Sequence, residues 1–219
     1  MGYNRKRMGQ LFVLSILIFM CCAVWAAVNL QPVDSTTNAG AMSREDTTNF
    51  LLPAELAKVT VPEWIDVQFI QKDGASRRGI TLDGLKDIVI HYIGNPGTTA
   101  KQNHKFYNNK SSNVSSHFIV GMDGEIIQCL PLNEVSSASN ERNKDTVSIE
   151  VCHPDDTGQF TDKTYQSLVR LTAWLCNLGK LKTNHVIRHY DITGKECPRY
   201  YVRNEDKWDQ FLNDVEDAI

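Results

Sequence analysis

The sequence predicts one α/β domain in which a mixed central β-sheet is flanked by α-helices. Short apolar runs of strand length alternate with longer segments whose apolar residues recur at helical spacing. Hydrophobic residues make up 42% of the 219-residue chain, which is enough for one packed core. The sequence contains no internal repeat that would indicate a solenoid or a second domain.

The first predicted strand is the apolar run "DIVIHYI", Asp87–Ile93, which is followed by the turn residues "GNPG". An unbroken apolar run is typical of a strand that is covered on both faces. The hydroxyl of Thr98 or Thr99 can then cap a short helix that carries Tyr107.

The segment "SHFIVGMDGEIIQCL" predicts a β-hairpin. Its strands are Ser116–Val120 and Glu125–Leu130, and the dipeptide Asp123-Gly124 favours a tight turn between them. The run "DTVSIEVC", Asp145–Cys152, then indicates another strand with alternating character.

Helical spacing follows Thr161, which can cap a helix that Gly179 would end. The segment "HVIRHY" predicts a last short strand, and a closing helix begins after Asn204. Strands and helices in this order are typical of a sheet with helices packed on its faces.

The N-terminus differs in kind from the rest of the chain. A basic start precedes the uncharged run Leu11–Val28, so residues 1–30 are either a cleaved signal peptide or an uncleaved membrane anchor. The polar segment 31–50 lacks large apolar groups and is expected to be a flexible linker. The domain is therefore predicted to be exported, secreted or membrane-anchored, and to comprise residues 51–219.

The formal net charge of −3 gives no basic field for binding nucleic acid, which we exclude as a partner. We expect a monomer.

Cys129, Cys152 and Cys176 have apolar neighbours and are interpreted as small buried core residues, although the sequence also allows one disulfide among them.

The segment "VIRHYDITGKECP" brings a histidine, His189, close in sequence to a thiol, Cys197. Imidazole and thiolate are ligands that zinc prefers, and a catalytic zinc site needs a third protein ligand. His91, inside an apolar strand, is the best candidate for that ligand. His91 could instead be a core residue whose ring bonds a backbone carbonyl, and the His-Cys pair could be a structural site with a fourth ligand.

Hydrolysis also needs a base and a group that stabilises developing negative charge. Glu150 lies among apolar residues in "SIEVC", a setting that raises a carboxyl pKa toward the range useful for proton transfer. Lys195 could supply the positive charge. Alternatively, Glu150 faces solvent from its strand and Lys195 is an ordinary solvated loop lysine.

Four ordered blocks, "DIVIHYIGNPGTTAKQNHKFY", "SSHFIVGMDGEIIQCLPLNE", "DTVSIEVC" and "VIRHYDITGKECP", resemble the zinc-dependent N-acetylmuramoyl-L-alanine amidases. The resemblance covers about residues 52–201 and is close to the Gram-positive autolysin and phage endolysin branch, which is related to the peptidoglycan recognition proteins. It implies a Zn²⁺ site made by His91, His189 and Cys197, with Glu150 as general base and Lys195 stabilising the tetrahedral intermediate. The implied substrate is peptidoglycan, cleaved between N-acetylmuramic acid and L-alanine.

The sequence departs from this family at two places. Some relatives place a catalytic tyrosine before the "HF" of the hairpin, where Ser116 stands here, and many carry a histidine where Ser137 or Ala138 stands. His117 is expected to be a packing residue rather than a ligand. These departures keep open a second reading, a non-catalytic peptidoglycan-binding or recognition module.

Overall fold

A six-stranded β-sheet forms the centre of the protein in a computed structural model, which describes residues 50–72 and 74–219. The predicted targeting segment 1–30 and all but the last residue of the predicted linker 31–50 lie outside the described residues. The strands are β1 Asp66–Val67, β2 Asp87–Tyr92, β3 Phe118–Val120, β4 Ile126–Gln128, β5 Thr146–Val151 and β6 Val186–Arg188. The helices are α1 Pro53–Leu56, α2 Ala100–Tyr107, α3 Asp162–Gly179, α4 His189–Thr193, α5 Arg199–Arg203 and α6 Glu205–Ala218.

The strands follow the order β1-β4-β3-β5-β2-β6, which confirms the predicted mixed sheet. Strands β3 and β4 pair antiparallel as a hairpin, whereas β2 runs parallel to both β5 and β6. The register of β2 on β5 sets His91 directly opposite Glu150. Because parallel strands end at the same edge of a sheet, residues that follow these strands meet there.

Helices cover both faces of the sheet, which confirms the predicted fold class. Alternate residues of β3 show this, since Phe118 and Val120 join the apolar cluster packed with α3 and α6, whereas Ile119 joins the cluster packed with α2. Most residues of β2, β3, β4 and β5 are buried on both faces, which explains the unbroken apolar runs in the sequence, whereas the edge strand β1 is exposed. In the described part of the chain, no helix is both long and apolar enough to cross a bilayer.

Most predicted elements are present, with shorter strands than the sequence indicated. Thr99 caps α2 and Thr161 caps α3, each accepting a hydrogen bond from a backbone N–H of the first turn. The expected alternation in Asp145–Cys152 was wrong, because five of the six residues of β5 are buried. Asn204 precedes α6 as predicted, but its side chain makes no capping hydrogen bond and bonds the Tyr200 carbonyl instead.

Two element ends also differ from prediction. Gly179 is the last residue of α3, and Lys180 after it takes the left-handed conformation, with φ 52°, that ends the helix. The predicted strand "HVIRHY" stops at Arg188, and His189 opens the short helix α4. The Asp191 carboxylate accepts a hydrogen bond from the Arg188 N–H at 2.8 Å and so favours helix over strand at this point.

Ion pairs and a hydrogen bond of Arg188 connect the end of β6 to the helices that follow it. Its side chain is 7% exposed and forms ion pairs with Asp191 and Glu205, the first residue of α6. Its guanidinium also donates to the Tyr201 carbonyl at 3.1 Å. Because the buried guanidinium binds all of these acceptors, it fixes the backbone that leads into His189.

We expect Arg188→Leu to lower the free energy of unfolding by about 2–3 kcal/mol, because it leaves a buried carbonyl and two carboxylates without their donor. Arg203→Gln is the matched control, since Arg203 forms an exposed pair with Glu196 and should contribute less than about 1 kcal/mol. Urea unfolding of both variants tests this. Equal losses would show that the Arg188 pairs do not anchor β6.

Candidate metal centre and active site

A cleft of about 400 Å³ opens where β2 and β5 end. The five residues singled out in the sequence all line it: His91, Glu150, His189, Lys195 and Cys197. Helix α2 and the segment before β3 form its opposite wall. The cleft therefore gathers residues that come from widely separated parts of the chain.

His91, His189 and Cys197 form a cluster in which one donor atom of each residue lies within 4.8 Å of the others. The Nδ1 atom of His91 is 3.9 Å from the Cys197 sulfur, and all three side chains are buried. No fourth histidine, cysteine or carboxylate joins this cluster in the described part of the chain. Three protein donors beside an open cleft could hold a metal ion that keeps a free position, as catalytic zinc sites do.

The two histidine rings are oriented by a pair of neighbouring polar residues. Ser139 Oγ lies 3.1 Å from His91 Nε2, and Asn140 Oδ1 lies 2.8 Å from His189 Nε2. Because an amide oxygen only accepts hydrogen bonds, the proton of neutral His189 is on Nε2. Its Nδ1 then presents a lone pair, and this atom is buried without any hydrogen-bond partner.

The electrostatics of the cluster also suit a cation. Burial lowers the pKa of both rings, helped at His91 by the neighbouring His189 and at both rings by the charge of Lys195, which keeps them in the neutral, ligating form. Burial raises the pKa of Cys197 to about 12, although the Tyr92 backbone N–H donates a hydrogen bond to its sulfur. Binding of a divalent cation would favour the thiolate, so the buried donor set fits a zinc-type ion.

Glu150 lies beside this cluster, on the same face of the sheet as His91. Its Oε2 atom is buried and has no hydrogen-bond partner in the described structure. Burial raises its pKa to about 8, and the nearby charge of Lys195 acts in the opposite direction. The alternative of a fully solvated carboxylate is therefore wrong for this residue.

Lys195 lies in the loop between α4 and Cys197, and its side chain is exposed at the edge of the cleft. Its charge influences Glu150, both histidines and Cys197. The ammonium has no ion-pair partner within residues 50–72 and 74–219. A mobile cation next to a buried carboxylate can respond to negative charge that develops between them.

Comparison with known proteins identifies the family. A sequence profile described as N-acetylmuramoyl-L-alanine amidase matches residues 83–200, more than half of the chain. The chain belongs to the N-acetylmuramoyl-L-alanine amidase family. The matched region contains the whole donor cluster as well as Glu150 and Lys195.

Two curated relatives carry the name N-acetylmuramoyl-L-alanine amidase. CwlL of Bacillus licheniformis is 29% identical over 168 residues, covering 69% of this chain and 46% of the relative. BlyA of Bacillus subtilis (strain 168) is 30% identical over 168 residues, covering 67% of this chain and 45% of the relative. The chain thus spans about half the length of the curated relatives it matches.

Solved structures agree with the fold of this amidase family member. The catalytic domain of XlyA superposes with a TM-score of 0.61 at 28% identity and covers 69% of this chain and 98% of that one. PlyL superposes with a TM-score of 0.62 at 22% identity, with 71% and 98% covered, which supports the fold alone.

The residues at which the sequence departs from the amidase family lie in or near the cleft. The hydroxyl of Ser116 is buried and donates to the Phe118 carbonyl at 2.7 Å. Tyr107 of α2 lines the cleft, where burial and the charge of Glu150 raise its pKa and a hydrogen bond with Ser116 opposes the rise. Ser137 and Ala138 line the cleft too, so the position where relatives carry a histidine does face it.

The sequence did not reveal Tyr107, Ser139 or Asn140 as residues of the site. Ser139 and Asn140 belong to the polar run "SASN", but polar runs are common in loops and do not by themselves indicate a functional site. The expected packing role of His117 agrees with its geometry, since its ring lies 2.8 Å from the Glu134 carbonyl and 3.2 Å from Ser148 Oγ.

We expect Ser139→Ala and Asn140→Gly each to weaken metal affinity by roughly tenfold, because each frees one imidazole to rotate. Glycine is chosen because Asn140 has a positive φ of 52°. Titration with Co²⁺, followed by its visible absorption, measures the affinity. Asn113→Ala is the control, as Asn113 lies on the rim and contacts neither ring; an equal loss there would contradict the orienting role.

Proposed function

We propose that this protein is a zinc-dependent hydrolase that cleaves the amide between N-acetylmuramic acid and L-alanine in peptidoglycan. One observation carries the proposal: the donor cluster of His91, His189 and Cys197 lies beside the half-buried Glu150 carboxylate in the cleft of an amidase-family fold. Metal donors and a base within one cleft are the components that metal-assisted amide hydrolysis requires.

His91, His189 and Cys197 would hold the ion, the two rings through Nδ1 and the cysteine through its sulfur. Zinc in such a site supplies Lewis acidity toward a carbonyl oxygen and lowers the pKa of water. The protein contributes the geometry, because Ser139 and Asn140 fix the rings before any ion arrives. The absence of a fourth donor among the described residues argues against the alternative of a closed structural site.

Glu150 would act as the general base and then as the general acid. It accepts a proton from the attacking water and returns it to the L-alanine nitrogen as the amide breaks. Its Oε2 atom is buried without a hydrogen-bond partner among the described residues, while the side chain as a whole is half-buried and lines the cleft, where water can reach it. The orientation follows from the register with His91 and needs no movement of the backbone.

Lys195 would stabilise the negative charge that forms on the attacked carbonyl oxygen. Its exposed, unpaired ammonium can turn toward the cleft, while the loop that begins at Gly194 holds its backbone beside Cys197. Tyr107 lines the α2 side of the same cleft, close enough to Glu150 for the carboxylate charge to raise the pKa of the phenol.

The same proposal places the enzyme outside the cytoplasm. Residues 1–30 would act as a signal peptide or membrane anchor, residues 31–50 as a linker and residues 51–219 as a monomeric catalytic domain. The targeting run is uncharged and follows a basic start, the pattern that directs export. An exported hydrolase of this family would meet its substrate in the cell wall, consistent with an autolysin.

A recognition module without catalysis is the second candidate, favoured by Ser137 and Ala138 at the cleft position where many relatives carry a histidine. Such a module would bind peptidoglycan and leave its amides intact. The two candidates therefore differ in one product, the free amino terminus of L-alanine.

We expect the protein to release new L-alanine amino termini from purified peptidoglycan, and Glu150→Gln to reduce the rate at least about 100-fold. The loss follows because an amide cannot accept the proton of the attacking water. Mass spectrometry of the released stem peptides gives the rate, and elemental analysis gives the zinc content.

Glu125→Gln is the matched control, because Glu125 is an exposed carboxylate near the hairpin turn and outside the cleft. It should keep both rate and zinc. A Glu150→Gln variant that loses zinc would point to a structural role instead. A wild-type protein that holds one zinc ion and binds peptidoglycan without releasing peptides would favour the recognition module.

A further inference from the structure

The active-site cleft continues past Lys195 into a second depression of about 520 Å³. The two share Val114, Ser137, Ala138, His189 and Lys195, so they form one continuous groove. Arg78, Asn113 and Asn143 line the second depression but not the first. We call this half of the groove the Arg78 arm.

The Arg78 arm is cationic although the whole chain is slightly acidic. Arg78 and Lys195 line it, and it contains no aspartate or glutamate. Arg78 is exposed and makes no ion pair or hydrogen bond with any of the residues the structure describes. A guanidinium without a partner presents a complete planar set of donors to an incoming carboxylate.

The neighbouring Arg77 has a structural role, because its side chain is bonded within the fold. Arg77 forms a two-point ion pair with Glu134, at 2.8 and 2.9 Å, and donates to the Ile70 carbonyl at 2.8 Å. These bonds fix the backbone from which Arg78 projects. Arg77 therefore stabilises the loop, whereas Arg78 faces the groove.

The α2 side of the active-site cleft is uncharged. It is lined by Thr98, Gln102, Asn103 and Phe106, and the Phe106 ring is 56% exposed. An exposed aromatic ring offers a flat apolar surface on which the C–H face of a sugar ring can stack. The groove thus has a neutral α2 side and a cationic Arg78 arm, and His189 of the donor cluster lines both depressions.

The proposed substrate has the same asymmetry about its scissile amide. Its N-acetylated sugars are neutral, because the lactyl carboxyl is used in the amide, whereas the stem peptide carries free carboxylates beyond L-alanine. Resting on the proposed function, we propose that Arg78 binds a stem-peptide carboxylate and so directs the peptide into the Arg78 arm and the glycan toward Phe106. Arg78 is then a determinant of specificity that distinguishes free carboxylates from amidated ones.

The test compares two muramyl tetrapeptides, one with its carboxylates free and one with them converted to carboxamides. We expect the wild type to favour the free acid by roughly fivefold in both Kd and kcat/KM, as suits an exposed charge pair. The preference should fall to about one in Arg78→Gln and be partly retained in Arg78→Lys, which keeps charge without the planar donors. It should also shrink as ionic strength rises.

Lys182→Gln is the matched control, since it removes one exposed cation near the start of β6, at the edge of the sheet away from the groove, and should keep the full preference. Calorimetric Kd values separate this inference from catalysis. An Arg78-dependent binding preference without turnover would support the Arg78 arm while refuting the hydrolase. Turnover with no preference for the free acid, or an equal preference in Arg78→Gln, would overturn the role of Arg78.

Discussion

The parallel pairing of β2 with β5 is the constraint on which the rest of the site depends. Its register places His91 opposite Glu150, so a metal donor and a carboxylate share one face of the sheet. Strand β6 pairs with the other edge of β2 and ends one residue before His189. A slip of one residue would turn either side chain to the opposite face, where α3 and α6 pack, and would separate the donors from the carboxylate.

Two of the six buried side-chain nitrogen and oxygen atoms that lack a hydrogen-bond partner among the described residues belong to this site. His189 Nδ1 and Glu150 Oε2 are both buried and unsatisfied, and each such atom costs free energy relative to its hydrated state. The cost is understandable if each atom binds something during function, an ion for the imidazole and a water proton for the carboxylate. The hydrogen bonds that the two rings make with Ser139 Oγ and Asn140 Oδ1 hold both rings in position for that purpose.

The sequence predicted the fold class, most strands and helices and all five residues that meet in the cleft, because apolar periodicity and motif spacing are local signals. It misplaced the end of β6, since the bond from the Arg188 N–H to Asp191 depends on geometry that periodicity does not record. It missed Ser139 and Asn140 because a polar loop run has no period, and its contacts with the histidines are long-range. The sequence did not predict the Arg78 arm for the same reason, since only the fold shows that Arg77 is paired with Glu134 whereas Arg78 has no partner in the part of the chain that the structure describes.

Anomalous diffraction from crystals of the zinc-loaded protein, collected on both sides of the zinc absorption edge, would test the central claim most directly. The account predicts one zinc peak bonded to His91 Nδ1, His189 Nδ1 and the Cys197 sulfur, with its remaining position open to the cleft beside Glu150. A peak with a fourth protein ligand closing that position would contradict it. So would coordination through Nε2 of either ring, because Ser139 and Asn140 would then have to release the histidines that they are inferred to orient.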